Sequence, residues 1–266
     1  MPEGDTVYLS AKNLNAALAG GVVTRFDLRV PAFATVDLTG DVIEGVASRG
    51  KHLFMRVGGF SIHSHLKMEG AWHLYRPETT WSRPEWQARA IIGTAEWIAV
   101  GFSLGTLDVV ARDNEDSVVG HLGPDLLGPD WDADEARRRM LAAPEATVFT
   151  AVHEQRNLAG LGNEYANELL FLRGLNPWTP VGAIDNLDGL LTTAHRLIHA
   201  NKDRDVRSTT GDLRPRQTHW VYGRVGQPCR RCGTSILKSQ LGPTPLIQRD
   251  VYWCPQCQPE RGALER

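Results

Sequence analysis

The chain of 266 residues lacks several features that would assign it to a class at once. Its first residues, Met1 to Asp5, include acidic side chains and no basic start before an apolar core, so no signal peptide is predicted. No run of about 18 uncharged apolar residues is present, which excludes a membrane-spanning helix. Internal repeats and low-complexity segments are also missing. We therefore expect an ordinary globular protein of the cytoplasm, associated with no membrane.

An excess of positive charge is missing as well. The net charge is -2, which by itself argues against a nucleic-acid partner. Residues 196–249 differ from this average, because basic residues there far outnumber the acids Asp203, Asp205 and Asp212. A basic segment on a neutral protein is typical of a contact with a phosphate backbone, although an ordinary solvated surface is the alternative. The basic residues are Arg196, Lys202, Arg204, Arg207, Arg214, Arg216, Arg224, Arg230, Arg231, Lys238 and Arg249.

The four cysteines form two pairs near the end of the chain. Cys229 and Cys232 form one CxxC pair, and Cys254 and Cys257 form the second after an intervening 21 residues. Two such pairs supply the four thiolates of a tetrahedral zinc site. Disulfides are the alternative, which a cytosolic protein disfavours. A redox role requires one CxxC beside a βαβ unit. The spacing therefore predicts one structural zinc ion.

Hydrophobic periodicity predicts an α+β fold. A helical stripe over residues 5–19, with Asp5 as N-cap and glycines at its end, precedes a region of short strands with period-two alternation. Predicted strands are 22–30, 52–57, 71–75 and 97–102, and a linker is predicted over 113–135. Predicted helices follow over 133–143, 147–158, 163–173 and 187–201. We expect an N-terminal helix with a β-sandwich, then a helical domain with a β-hairpin zinc finger.

The residues at the N-terminus offer nucleophilic chemistry. Removal of Met1 would leave Pro2 with a free secondary amine, and an α-amino group ordinarily titrates near pH 7.7–8.0. Such an amine attacks an aldehyde-level carbon and gives an iminium ion, which is a good electron sink. Glu3 beside it is a candidate general acid. Taken alone, however, proline at position 2 is common and indicates nothing.

Lys51 ends a near match to a phosphate-binding P-loop, residues 45–51. His52 stands where a serine or threonine must bind magnesium, and a strand pattern follows instead of a helix. The nucleotide-binding interpretation is therefore rejected. A single lysine is usually a solvated surface charge, so Lys51 needs support from other residues.

Taken together, these motifs resemble the formamidopyrimidine-DNA glycosylase/endonuclease VIII family. The resemblance runs from residue 2 to about residue 258. It is most specific at the N-terminal MPEG, at QRNLAGLGNEYANE (155–168) and at RDVYWCPQCQ (249–258). The family implies a helix–two-turn–helix around residue 163 and a division into domains at 1–116, 117–220 and 221–266.

The resemblance implies a role for each matching residue. Pro2 would form a Schiff base with C1′ of the damaged nucleoside, Glu3 would donate a proton, and Lys51 would assist β-elimination. Asn163, at a helix N-terminus, would meet a phosphate, which the helix dipole favours independently. Arg249, on the hairpin between the cysteine pairs, would grip flanking phosphates and assist δ-elimination. Zinc would keep this hairpin rigid.

Flipping a nucleotide out of duplex DNA requires a side chain that fills the gap. The loop HLKMEG (65–70) resembles the family's intercalation loop, with Met68 as the wedge and Lys67 reaching the other strand or the backbone. The alternative for Met68 is filler in the core. His121 matches a DNA-contacting position of the endonuclease VIII branch.

Departures from the family pattern bear on the substrate. Many relatives carry a Pro-Glu pair where this chain has Asp5 and Thr6, and the wedge loop of the purine-specific branch is missing from residues 105–112. The missing loop, together with Gly4, favours oxidised pyrimidines, whereas Asp5 and Thr6 motivate a non-catalytic alternative. A glycosylase of oxidised purines, a non-catalytic DNA-lesion-binding protein and a zinc-ribbon interaction protein are the alternatives. The expected partner is damaged double-stranded DNA, or single-stranded or bubble DNA, bound by a monomer in the nucleoid.

Overall fold

The computed structural model describes residues 1–260. Its helices are α1 (Gly4–Leu18), α2 (Asp116–Val119), α3 (Ala133–Met140), α4 (Val148–His153), α5 (Asn163–Arg173) and α6 (Leu187–His199). Its strands are β1 (Arg25–Leu28), β2 (Ile43–Arg49), β3 (His52–Val57), β4 (Phe60–His65), β5 (Ala71–Tyr75), β6 (Ala88–Gly93), β7 (Ile98–Phe102), β8 (Thr106–Ala111), β9 (Leu237–Thr244) and β10 (Ile247–Trp253). The α+β class expected from the sequence is confirmed.

The chain divides into two compact units, Met1–His121 and a second that begins at Leu122. In the first, two antiparallel sheets, β1-β6-β7-β5 and β2-β3-β4-β8, form a sandwich with α1. Apolar side chains of α1, such as Leu14, share one core with Leu53 and Ile62 of one sheet and Ile92 of the other. The period-two alternation produces this arrangement, because alternate residues of each strand face the core.

In the second unit, α3 to α6 share a core with Val251 of β10. Helix α5 lies at its centre, and every residue from Asn163 to Phe171 is buried. Its polar residues are therefore removed from water and need hydrogen-bond partners inside the unit. Strands β9 and β10 form an antiparallel hairpin that packs on α4 and α5.

Two local predictions are wrong. Glu3, not Asp5, is the N-cap of α1; Asp5 lies in the first turn, where the Thr6 N–H donates to its Oδ1 at 2.7 Å. Helix α4 ends at His153 instead of residue 158, because the Gln155 side chain takes over backbone hydrogen bonds. Its Nε2 donates to the carbonyls of His153 and Leu161, both at 2.9 Å. The connection to α5 is consequently longer than the predicted four-residue turn.

The segment predicted as a linker, residues 113–135, contains the short helix α2 and the start of α3. The finer division at residues 116 and 220 remains a prediction, and residues 261–266 of its last segment lie outside the described residues. No helix in the described part of the chain combines the length and the apolar character that a bilayer span requires.

Candidate active site and metal centre

The N-terminal residues lead directly into α1. Pro2 is half-buried and precedes the N-cap Glu3, which is completely buried. The backbone N–H of Glu3 faces Thr6 Oγ1 at 3.5 Å, which continues the polar cap of the helix. Burial fixes the Glu3 backbone, so the residue before it has a defined position at the positive end of the helix dipole. The predicted nucleophile and acid are thus neighbours at a helix N-terminus.

Lys51 lies in a tight turn between β2 and β3. Arg49 pairs with His52, so Gly50 and Lys51 form a two-residue hairpin turn. Gly50 adopts the left-handed region with φ of 56°, where glycine carries no Cβ penalty. The turn places Lys51 at the end of the β2-β3 hairpin, beside the first residue of β3.

The loop after β4 carries the predicted DNA contacts Lys67 and Met68. Lys67 has a φ of 55°, and its N–H donates to His65 Nδ1 at 3.0 Å. Met68 is 65% exposed, so the alternative that it fills the core is wrong. His121 is exposed, and its ring centroid lies 6.5 Å from that of His52.

Several histidines converge beside Lys51 and Lys67, and sequence reasoning did not identify them as a site. His52 Nδ1 lies 2.9 Å from His63 Nε2, and His63 Nδ1 lies 3.1 Å from Asp108 Oδ2. Burial, together with neighbouring positive groups, lowers the pKa of His52 to about 3 and that of His65 to about 4. The available signal was the alternation of His63 and His65 next to a strand that starts with His52.

Asn163 is the first residue of α5, as the motif predicted. It is buried, and its Oδ1 lies 3.1 Å from Nε2 of His153 at the end of α4. Gln155 closes the connection further, since its Oε1 accepts the N–H of Gly160 at 3.2 Å. These contacts hold the two helices in a fixed relation, and the binding of a phosphate at the start of α5 remains a prediction.

The hairpin places Arg249 on β10, exposed and opposite Leu241 of β9. Asn167 of α5 binds the same strand on both sides of Val251. Its Oδ1 accepts the Tyr252 N–H at 2.6 Å, and its Nδ2 donates to the Asp250 carbonyl at 3.2 Å. Asn167 therefore fixes the position of the strand that carries Arg249, a role that the sequence did not indicate.

The four cysteines converge, as their spacing predicted. Their Sγ atoms all lie within 4.8 Å of one another, with 3.4 Å between Cys232 and Cys254 and 3.9 Å between Cys229 and Cys257. Disulfide sulfurs are about 2.05 Å apart, whereas thiolates on one tetrahedral zinc are roughly 3.8 Å apart. The geometry fits a shared metal ion and contradicts disulfides.

The pKa values of three thiols in the cysteine cluster are shifted in opposite directions. Hydrogen bonds from Thr234 lower the pKa of Cys232 to about 6. Burial raises the pKa of Cys254 and, together with hydrogen bonds among the thiols, that of Cys257. A bound divalent cation would deprotonate all four thiols. Gln258, completely buried, anchors the second pair, because its Oε1 accepts the Cys254 N–H at 3.0 Å.

Comparisons with known proteins agree with this geometry. Residues 1–100 match the family model described as the formamidopyrimidine-DNA glycosylase N-terminal domain. The chain is 51% identical over 262 residues to Probable endonuclease 8 2 of Streptomyces coelicolor, covering 97% of this chain and 94% of that protein. It is 47% identical over 258 residues to the DNA-(apurinic or apyrimidinic site) lyase Nei2 of Mycolicibacterium smegmatis, covering 97% and 99%.

Solved structures show the same fold. MutM in complex with DNA containing carbocyclic 8-oxo-G has a TM-score of 0.80 at 24% identity, covering 97% of this chain and 99% of that chain. The Lactococcus lactis formamidopyrimidine-DNA glycosylase bound to DNA with an AP site has a TM-score of 0.81 at 22% identity, covering 97% and 100%. The chain belongs to the formamidopyrimidine-DNA glycosylase/endonuclease VIII family, and within it the relatives at 47–51% identity are endonuclease 8 proteins.

Proposed function

We propose that this protein is a bifunctional DNA glycosylase and AP lyase of base excision repair that removes oxidised pyrimidines from damaged DNA. The observation that carries the proposal is the near full-length similarity to endonuclease 8 proteins, one of them named as an AP lyase, combined with Pro2 and Glu3 at the start of α1. The preference for pyrimidines rests on Gly4 and on residues 105–112. These residues form β8 with one flanking residue at each end, instead of a long wedge loop.

The chemistry begins at Pro2 after removal of Met1. The helix N-terminus disfavours a positive charge nearby, so the neutral, nucleophilic amine is favoured there. Its nitrogen attacks C1′, the C1′–N bond to the base breaks as the amine proton passes to the departing base, and Glu3 supplies a proton to the ring oxygen as the sugar opens. The resulting iminium ion acidifies the C2′ proton. Loss of that proton expels the 3′ phosphate by β-elimination, with Lys51 at the reacting sugar, and δ-elimination assisted by Arg249 expels the 5′ phosphate.

The remaining predicted residues bind the DNA. Met68 is exposed, as a wedge that enters the base stack must be, and Lys67 beside it contacts the backbone or the other strand. His121 contacts DNA, and Asn163 with the N-terminus of α5 binds a phosphate. The bound form is damaged duplex DNA, and the protein acts as a monomer in the nucleoid.

Zinc is the metal that fits the cysteine cluster. Cys229, Cys232, Cys254 and Cys257 would hold one ion, because four thiolates without an open position are typical of structural zinc. The ion would stabilise the fold and take no part in the reaction. Its effect on DNA is indirect, through the rigidity of the hairpin that carries Arg249.

Trapping with borohydride tests the mechanism. Protein lacking Met1, incubated with duplex DNA containing an abasic site or an oxidised pyrimidine, should form a covalent complex that mass spectrometry locates on Pro2. Protein that retains Met1 should show only background, because its Pro2 nitrogen is an amide, whereas Pro77→Gly, in an exposed loop, should trap normally. A cross-link on a lysine side chain, or lesion binding without any strand cleavage, would contradict the proposal and favour a non-catalytic lesion binder.

A further inference from the structure

A hydrogen-bonded chain of side chains crosses the face of the β2-β3-β4-β8 sheet that is turned away from the sandwich core. Asp108 of β8 pairs with His63 of β4 in the register, and Phe54 of β3 pairs with His63, so these strands are direct neighbours. The chain runs from Asp108 Oδ2 to His63 Nδ1 (3.1 Å) and from His63 Nε2 to His52 Nδ1 (2.9 Å).

These contacts fix which ring nitrogens carry protons. An ionised carboxylate only accepts, so His63 Nδ1 donates to Asp108, and a neutral His63 then offers a lone pair at Nε2. His52 Nδ1 must donate to that lone pair, which leaves Nε2 of a neutral His52 as an acceptor. The two rings are inclined by only 21° with centroids 5.1 Å apart, a separation that fits rings joined edge to edge by this bond.

Nε2 of His52 remains available to a ligand. Within the described residues it makes no hydrogen bond, and it is not among atoms buried without a partner, so it is reached by solvent. The neighbouring His65 differs. Its Nδ1 accepts the Lys67 N–H at 3.0 Å, so a neutral His65 already presents an N–H donor at Nε2. Two adjacent imidazoles thus present opposite hydrogen-bonding groups.

The surroundings of His52 are predominantly positive. Burial is the largest cause of its lowered pKa, followed by His63, His65, His121 and Lys67. Asp108 contributes the negative charge, at the far end of the chain through His63. The charged and titratable groups that face His52, on β2, the β2-β3 turn, β4, the following loop, β8 and the residues after α2, are Arg49, Lys51, His63, His65, Lys67, Asp108 and His121.

A metal ion does not account for this cluster. Among the described residues, only the four cysteines bring three or more ligand atoms of His, Cys, Asp or Glu together closely enough for an ion. An anion fits better, because Lys51 and Lys67 flank the histidines and Lys51 adds to the positive field at His65. In a protein that binds DNA, the anion that such a positive site meets is the backbone phosphodiester.

We propose that His52 contacts a DNA phosphodiester only in its protonated form, so that DNA binding takes up one proton at this residue. The proposal rests on the proposed function. Phosphodiester oxygens offer only lone pairs, so a neutral His52 would face them with its own lone pair, whereas a proton on Nε2 makes it a donor. The chain through His63 to Asp108 stabilises the resulting positive charge, and the phosphate neutralises the lysines that oppose protonation.

The sign of the pH dependence follows from linkage. The pKa of His52 is about 3 in the free protein and is higher in the complex, because an anion favours the charged imidazole. The complex therefore holds more protons than the free protein, and affinity increases as the pH falls through the pKa of the bound state. One coupled proton gives at most about a tenfold change in affinity per pH unit.

Isothermal titration calorimetry measures this proton directly. The protein lacking Met1 is titrated with duplex DNA containing a non-cleavable abasic analogue, whose sugar has no aldehyde-level carbon to react, in two buffers of different ionisation enthalpy. The same titration of the His52→Gln variant should show about one proton fewer taken up per complex. The reason is that the glutamine amide donates a hydrogen bond to the phosphate without being protonated. The matched control is His73→Gln on β5, whose ring faces Tyr75 and Ser82 and whose proton uptake should equal that of the parent.

The variant Asp108→Asn tests whether the hydrogen bonds from Asp108 through His63 contribute to the protonation of His52, or whether His52 simply contacts a phosphate. Asparagine still accepts the His63 N–H but removes the charge, so the rise in affinity should shift to lower pH while affinity at pH 8 stays within about twofold. Equal proton uptake by the parent and the His52→Gln protein would overturn the proposal alone. Failure of the parent to bind the DNA at all would overturn the proposed function as well.

Discussion

Glu168 of α5 and His52 of β3 are both polar side chains in well-packed regions, yet their hydrogen-bonding capacity is used in opposite ways. Glu168 is completely buried and accepts the N–H groups of Trp220 (2.7 Å), Val221 (2.8 Å) and Tyr222 (2.8 Å), as well as the Thr209 hydroxyl. His52 uses one nitrogen inside the fold and leaves the other open to solvent. A saturated polar group holds structure together, whereas an open one is available for a ligand.

The same contrast separates the regions around them. In the second unit, Glu164 binds Arg207 at 2.8 Å and His219 at 2.7 Å, so α5 is tied to the basic segment that precedes the cysteines. In the first unit, the sheet face around His52 gathers positive groups with one carboxylate at its edge. Arg207, one of the basic residues counted from the sequence, thus serves an internal ion pair, so that excess of positive charge is not all directed to solvent.

Among the buried groups that hold the structure together, the cysteine cluster should show the largest effect when it is changed. Cys254→Ser removes a completely buried cysteine of the proposed zinc site, and metal binding in such sites supplies roughly 10 kcal/mol or more of folding free energy. We expect zinc content to fall below one ion per chain and the hairpin to lose protection in hydrogen exchange. Ser235→Ala, exposed near the first cysteine pair, should keep its zinc. Full zinc in the Cys254 variant would refute the four-cysteine site.

Glu168→Ala comes next, because it leaves three backbone N–H groups without their acceptor. Each unsatisfied buried group costs about 1–3 kcal/mol, so the loss of the acceptor for three of them should lower the free energy of unfolding by about 3–9 kcal/mol. Denaturant unfolding measures this change. Glu145→Ala, on an exposed position of the same unit, should change stability by less than about 0.5 kcal/mol. Equal stability of the two variants would show that Glu168 does not anchor this segment.

Arg249→Ala tests an exposed residue of the β9-β10 hairpin that is proposed to contact a phosphate. Removing a charge-assisted phosphate contact costs about 1–3 kcal/mol, which corresponds to a roughly 10–100-fold weaker affinity for DNA. Thermal stability and zinc content should remain those of the parent, since Arg249 is exposed. Gln248→Ala, the neighbouring exposed residue, is the control for affinity. A folded but zinc-deficient Arg249 variant would place the residue in the structural group instead.

The smallest effect is a pH dependence of stability at His219. Burial lowers the pKa of His219, but the hydrogen bond and charge of Glu164 outweigh it and the net pKa is raised. The folded state then holds the proton more tightly than the unfolded state. The contribution is complete below about pH 6.5 and is lost as the pH rises through the folded pKa. Melting temperatures between pH 6 and 9 should decline more in the parent than in His219→Gln.

Much of the fold follows from the sequence because its signals are local. The bounds of β3 and β5 match the predicted strands at both ends, and α1 and α6 lie within one or two residues of theirs. Helix α4 was predicted too long because the helical pattern continues past His153, and only the structure shows that the Gln155 side chain replaces the backbone hydrogen bonds.

The candidate site was predictable only in part. The cysteines and the N-terminus are recognised by spacing and position, which a sequence displays directly. His52, His63 and Asp108 belong to three strands and come together through register, so no short motif contains them. The role of Asn167 is similar, because its partners Asp250 and Tyr252 lie about 85 residues further along the chain.

The position of Pro2 has a practical consequence for anyone who handles this protein. The residue after Pro2 is the buried N-cap of α1, so the position of Pro2 is fixed by the fold. Any affinity tag, fusion partner or cloning scar added upstream converts its nitrogen into an ordinary amide. Under the proposed mechanism, such a preparation would be inert toward a sugar aldehyde even when it is correctly folded. Purification handles therefore belong at the opposite terminus, and aminopeptidase processing in the expression host determines how much of a preparation can react.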